Sequence, residues 1–349
     1  MKVLTTLPQA DLRTTAAAAK QAEADGYDGV LTMENKHDPF LAHAIAAVNT
    51  SRIELGTSVA IAFPRSPMVV ANACWDLQNA SQGRFVLGIG PQIRPHNEKR
   101  FSVPWTAPAP RLREYVQALR AIWTTWETGE KLDFRGQHYT FTLMPPYFMP
   151  PSTHQKMVPI TLAGVGEHTL RLAGEAGDGI RLHGFCTRRY MEEMIMPRLQ
   201  EGMARSSHDR AHLEVTGGGF VATGKDSDAV AKAFEAVRNR IGFYGSTPAY
   251  WGVFELHGYA DLGRELNAMS KAGQWADMPK RIPDDLVHLF AAVGTHKELA
   301  QRIAERFGGL SDAINLRPDS TTETDPVPPD VIQEIQRIPT PFQGYRTAW

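Results

Sequence analysis

IELGTSVAIAFPRSP, residues 53–67, begins as a strand and ends as something else. Ile53, Leu55, Val59 and Ile61 are apolar, and β-branched residues are prominent, as a buried strand requires. Gly56, Thr57 and Ser58 interrupt the run. A glycine inside a strand pattern marks a bulge or a close approach of backbone to a ligand. Pro64 and Pro67 then force the chain out of the sheet. A buried strand with a small-residue kink near its carboxyl end can seat a flat ligand. The plainer alternative is a barrel strand with a corner-turning glycine.

Upstream of this stretch, Lys2 to Leu7 reads as a first strand, and Asp11 caps a helix over Leu12 to Asp25. Gly26 ends that helix, and Tyr27 to Met33 is the second strand, giving a parallel βαβ unit. ENKHDPF follows, then a helix from Leu41. Downstream, a helix over Met68 to Ser81 leads to GRFVLGIG, the fourth strand. Leu112, Val116, Leu119 and Trp123 repeat at helical spacing within Arg111 to Thr128. Gly129 to Met157 is a Pro-, Gly- and aromatic-rich excursion over the surface. Val158 to Ala163, DGIRLHGF and Glu214 to Val221 are strands five to seven. Asp226 to Arg240 is helical, residues 241–293 break the strand–helix period as an insertion, and Lys297 to Phe307 is a helix. Asp312 to Leu316 is the eighth strand.

Eight strands alternating with helices predict an α/β fold of the (β/α)₈ TIM barrel type, with a helical insertion between strands 7 and 8. The rival, an open doubly wound sheet, carries a glycine fingerprint in its first turn. Here that turn is LPQADLR. The expected division is a barrel over 1–316, with the insertion at about 241–293, and a Pro-rich arm over 317–349. In the arm, Val331, Ile332, Ile335 and Ile338 are spaced to dock as a short helix over the barrel or a partner subunit.

The chain of 349 residues has 42% hydrophobic and 21% charged residues, enough for a sizeable core. A net charge of -1 argues against a nucleic-acid partner. Cys74 and Cys186 form no C-x-x-C pair, so a reducing compartment fits. The N-terminus lacks a signal-peptide run, and no segment has the apolar length of a membrane helix. The expectation is a soluble cytoplasmic protein, a homodimer by base rate, with a small-molecule substrate.

In a barrel the working groups sit where strands end. Glu34, Asn35, His37 and Asp38 follow the second strand. Histidine titrates near neutrality, so His37 is the best general acid or base, against the plainer reading that His37 and Asp38 cap the next helix. No second ligand stands at metal spacing. Ser58, Ala60 and Arg65 follow the third strand. Gln92, Arg94, His96, Asn97, Glu98 and Arg100 crowd the loop after the fourth. After the fifth, Gly164, Val165 and Gly166 open a helix whose first turn carries His168 and Thr169. Free amides at a helix N-terminus beside glycines suit a phosphate, although Glu167 opposes an anion unless it points away. The aromatic run FYGSTPAYWGVFELHGY in the insertion is either buried packing or a lid over an apolar pocket.

Taken together, AEADGYDGV (Ala22 to Val30), HDPFLAHAIAA (His37 to Ala47), RIELGTSVAIAFPRSP (Arg52 to Pro67), SQGRFVLGIG (Ser81 to Gly90), REYVQALRAIW (Arg113 to Trp123), FRGQHY (Phe134 to Tyr139) and AGEAGDGIRLHGF (Ala173 to Phe185) resemble the luciferase-like monooxygenase superfamily. The likeness is greatest to its branch of coenzyme F420-dependent oxidoreductases and runs from Met1 to about Leu316. It implies a barrel with an insertion after the seventh strand. It also implies a non-proline cis peptide at Ser58–Val59 backing a deazaflavin ring, with Gly90 and Ala163 beside it. The coenzyme's phosphate would lie on Gly164, Val165, Gly166, His168 and Thr169. His37 would lie near the ring's reactive carbon, with Glu34 as a neighbour. Some family members place an acidic proton donor just past the glycines of the fourth strand. Gln92 and Ile93 stand there in this chain, which leaves His37 and Glu98 as candidates. The activity implied is hydride transfer with F420. The alternatives are an FMN-dependent monooxygenase using oxygen and a non-catalytic flavin-binding barrel.

Overall fold

The computed structural model describes residues 1–316, 325–346 and 349. Eight parallel strands close into a barrel: β1 (Lys2–Thr6), β2 (Gly29–Thr32), β3 (Glu54–Thr57), β4 (Phe85–Gly90), β5 (Ile160–Ala163), β6 (Gly179–Leu182), β7 (Glu214–Gly217) and β8 (Ala313–Asn315). β1 pairs with both β2 and β8, and β3 pairs with β4 to complete the ring. Every residue of β4 is buried, as a parallel strand covered on both faces should be. The longest helix, Pro108–Thr128, buries Leu112, Tyr115, Val116, Leu119, Ile122 and Trp123 against the barrel, on the face its spacing predicted.

The kink in the opening stretch is a bulge in β3. Leu55 and Gly56 pair with Phe85 and Val86, and pairing resumes in a short extension, Ala60–Ile61, with Ile89 and Gly90. Residues 57–59 therefore face only 87–88, so β3 carries one residue more than β4. The side chain of Thr57 fills the gap in the ladder. Its Oγ1 donates to Gly88 O at 2.6 Å and accepts from Gly88 N at 2.9 Å. The Ser58–Val59 peptide is cis.

Behind the bulge lies His43, fully buried on the helix Leu41–Asn49. Thr32 Oγ1 spends its hydrogen on Pro39 O, so the His43 Nε2–H points to Thr32 Oγ1 (2.9 Å) and Gly56 O (3.0 Å). Burial holds the imidazole neutral and lowers its pKa to about 4. An unfolded histidine titrates near 6.5. The unfolded chain thus binds the extra proton first as pH falls. The stabilisation is complete above the unfolded value and declines through the interval down to the folded one, by about 3 kcal/mol. Urea midpoints measured across this interval should fall more steeply in the parent than in His43→Gln. Parallel slopes would show that His43 does not govern the acid limb.

Two expectations are corrected. The seventh strand does not run from Glu214 to Val221. It stops at Gly217, where Gly217 and Gly218 take φ of 83° and 94°, backbone that glycine adopts freely. The chain turns there, and Phe220–Gly224 pairs in parallel with Ala291–Thr295 in a separate two-stranded sheet. The helical insertion expected at about 241–293 is preceded by the helix Ser227–Gly245, which runs into it, and is followed by the strand Ala291–Thr295.

The expected arm begins at Arg317, and residues 317–324 lie outside the described residues. Beyond them, the helix Pro329–Gln336 buries Val331, Ile332 and Ile335 in one cluster with Ile303, Phe307 and Ile314. The N-terminal amine of Met1 donates to Gln336 O and Ile338 O. Further on, the rings of Phe342 and Tyr345 lie 5.3 and 5.2 Å from Lys2 Nζ. Lys2 Nζ is 2.8 Å from both Glu54 and Glu214, and Arg181 reaches Glu214 at 3.3 Å. Lys2, Glu54 and Glu214 each begin a barrel strand, so arm and ion cluster together close the floor of the barrel. Among the described residues no helix is long and apolar enough to cross a membrane.

Candidate functional site

The opposite end, where strands finish, carries the candidate residues. Glu34 follows β2 and accepts from Ile61 N at 2.6 Å and from Arg65 Nη1 at 2.7 Å. Its own amide reaches Val59 O at 3.4 Å. Arg65 also contacts Asp38 at 3.2 Å, and its carbonyl accepts from the buried Tyr115. Glu34, with a side chain only 6% exposed, is therefore occupied as a brace across the bulge.

His37 is exposed and makes no hydrogen bond among the described residues. Glu98 lies in the turn His96–Arg100 and pairs with Arg94 at 3.0 Å. The two loops meet, because Arg100 donates to Asn35 O. Gln92, standing where an acid was looked for, takes φ of 57° and so turns the chain just after β4. Buried Asn97 fixes the loop by donating to Pro91 O and Ile93 O.

A Cβ placed on Gly90 would meet Val59 Cγ2 at 3.3 Å and Ala163 Cβ at 3.4 Å. Val59, Gly90 and Ala163 are therefore adjacent across β3, β4 and β5, and Ala163 leads directly into Gly164. The helix Glu167–Ala176 starts here with Gly166 as its N-cap; Thr169 N and Leu170 N donate to Gly166 O at 3.0 Å, and the amides of Glu167 and His168 are left without a backbone acceptor among the described residues. Thr169 is buried and packs against Gly164, where a Cβ would lie 2.3 Å from Thr169 Cγ2. Val165, Gly166 and His168 are exposed beside it. Glu167 is turned away from the turn, toward Arg171 (3.0 Å) and Arg198 (3.7 Å). The carboxylate that counted against an anion is thus engaged elsewhere.

One residue at this mouth went unread. His183 directly follows β6, with Nδ1 accepting from Phe185 N at 3.0 Å, which leaves the proton on Nε2. Tyr250 stacks on its ring at 4.8 Å, and Tyr244 meets it edge-on at 4.3 Å. Burial, reinforced by Arg240, lowers its pKa to about 4, so it is a neutral donor at physiological pH. The aromatic run of the insertion therefore serves both readings. Val253 and Phe254 are core, while Tyr250 walls a pocket with Gly164, Val165, His183 and Phe185. Its free space of about 20 Å³ holds roughly one water, so it is shut as it stands. DGIRLHGF read as one strand to Phe185; the His-Gly pair after Leu182 was the available sign of its end.

A model of the luciferase-like monooxygenase family matches residues 2–312. The chain belongs to that family. Among its luciferase-like relatives, an uncharacterized protein of Mycobacterium tuberculosis is 47% identical over 303 residues, covering 87% of this chain and 89% of the relative. The 5,10-methylenetetrahydromethanopterin reductase of Archaeoglobus fulgidus is 27% identical and covers 91% of each chain. A putative coenzyme F420-dependent oxidoreductase of Mycobacterium tuberculosis is 28% identical, covering 81% of this chain and 84% of the relative. Of solved structures, the coenzyme F420 dependent tetrahydromethanopterin reductase of Methanopyrus kandleri superposes with a TM-score of 0.74 at 17% identity, over 97% of both chains. The luciferase-like barrel is thereby established, and the motifs had pointed to it.

Proposed function

We propose that this chain is an oxidoreductase that moves a hydride between the deazaflavin coenzyme F420 and a small, moderately apolar organic substrate. The observation that carries the reading is the continuous strip from the β3 bulge through Val59, Gly90 and Ala163 to the helix N-terminus at Gly166. Small residues let a flat ring approach the backbone, and first-turn amides donate to an anionic tail. The near full-length likeness to a relative named for F420 supports the choice of ring. When bound, the deazaflavin supplies the hydride chemistry.

The chain's own residues do the rest. Ser58 and Val59 back the ring, with their position held by the Glu34–Arg65 brace. Gly164, Val165, Gly166, His168 and Thr169 hold the phosphate. His37, with its imidazole unengaged, supplies or removes the proton, and Glu98 is the alternative donor across the loop contact. The same reading includes a homodimer in the cytoplasm.

Titration of the purified protein with F420 and with FMN, followed by ring absorbance, tests it. F420 should bind at least about tenfold more tightly, a difference of roughly 1.4 kcal/mol. The reverse ranking would favour an oxygen-using monooxygenase, and binding of neither would overturn the proposal. Gly164→Ala should weaken F420 at least about tenfold, because Thr169 and the first helical turn must shift to admit the new Cβ. Unchanged affinity would remove the phosphate from this turn. His37→Ala should lower turnover, assayed with a panel of small alcohols and enones, by about 10²-fold or more while F420 affinity holds.

A further inference from the structure

A second concavity lies outside the strand-end site. It is a groove of about 680 Å³ between the turn Thr187–Glu192 and the helix Leu299–Phe307, and none of the candidate residues above lines it. Arg306 stands in its wall at 7% exposure. Its Nη2 donates to Cys186 O at 2.7 Å and to Gly218 O at 2.8 Å. Its Nε and Nη1 are buried with no partner, and no carboxylate pairs with the guanidinium among the described residues. A buried charge without a counter-charge is costly, and a guanidinium presents a planar fork of donors.

The carboxylates that line the groove pair with other arginines, although the charge of Glu192 is felt at Arg306. Glu192 pairs with Arg188 at 2.9 Å, and Glu305 pairs with Arg302 at 3.3 Å. Arg189 is itself paired with Glu193 at 2.7 Å, and Leu289 and Val293 give the groove an apolar side. Burial lowers the Arg306 pKa to about 10, which still leaves it charged at neutral pH.

We propose that this groove binds an oxyanion, a phosphate or carboxylate borne by a small organic ligand, on an unpartnered N–H donor of Arg306. The apolar part of such a ligand lies along Leu289 and Val293. Arg306 also ties the loops after β6 and β7, and Cys186 lines the His183 pocket on their other side. The groove therefore stands back to back with the mouth of the barrel.

The test is a titration of the full-length protein with inorganic phosphate and, separately, acetate. It is followed by the ¹⁵N–¹H resonance of the Arg306 Nε–H, assigned by through-bond correlation to the Arg306 backbone. A saturable shift is expected with at least one of the two, and the better probe names the oxyanion class. Arg306→Lys keeps the charge but removes the unpartnered Nε and Nη1 donors, and Arg302→Gln alters only the exposed rim. The first should weaken binding of that probe at least about tenfold, the second about threefold. Should Arg306→Lys fail to fold, the Arg302→Gln titration still decides. No shift with either probe, a linear drift matched by chloride, or a variant series with parent affinity would overturn the proposal. The backbone amides of Gly166 to Thr169 report the other anion site separately, so failure of one leaves the other standing.

Discussion

Gly88→Ala should lower the stability of the barrel by at least about 3 kcal/mol, the upper range for overpacking. A Cβ at this position would lie 1.9 Å from the carbonyl oxygen of Thr57. That oxygen belongs to backbone, so no side-chain rotation relieves the clash. The site is also where β3 closes on β4, through the two hydrogen bonds that Thr57 Oγ1 makes with the Gly88 peptide groups. Pushing the strands apart breaks both bonds and leaves buried polar groups unpaired. Thr57→Val, which removes the bonds without the clash, should cost less, about 1–3 kcal/mol. Urea unfolding of the three proteins gives the order. A Gly88→Ala variant as stable as the parent would mean that β3 and β4 close some other way.

Truncation after Leu316 should leave a chain that does not reach a cooperative folded state. The helix Pro329–Gln336 alone buries Val331, Ile332 and Ile335, each contributing about 1.5–3 kcal/mol. Their sum is comparable with the whole stability of an ordinary domain, about 5–15 kcal/mol. Losing the arm also uncovers Ile303, Phe307 and Ile314, and strips Phe342 and Tyr345 from Lys2. The Lys2–Glu54–Glu214–Arg181 cluster would then face water, with its mutual attractions screened. Circular dichroism melts of full-length and truncated protein measure the outcome. A truncated protein with a sharp transition near that of the parent would reduce the arm to an ornament.

Much of the barrel was legible because its strands are short apolar runs punctuated by glycine and proline, and the helices between them repeat at their own spacing. The GTS kink announced the bulge in β3 for the same local reason. β7 misled because Glu214 to Val221 has apolar residues on both sides of its glycines, and only the triple glycine at 217–219 marks where the chain leaves the barrel. The strand Ala291–Thr295 was hidden because its partner, Phe220–Gly224, lies far away in sequence. Long-range charge pairing was equally invisible. Glu34 read as a neighbour of His37 near the ring, and only the fold shows Arg65 paired with it. Nothing local in the sequence relates Lys2, Glu54 and Glu214, which the closed barrel brings together beneath the arm. His183 was overlooked because a histidine inside an apolar run looks like part of the strand, and the rings that hold it come from a distant insertion.

A crystal structure of the full-length protein with F420 bound is the most direct measurement. The ring should lie against Ser58 and Val59, with the phosphate within hydrogen-bond reach of the amides of Gly166 to Thr169. A ring seated away from the bulge, or a phosphate held in the Arg306 groove instead, would contradict the account.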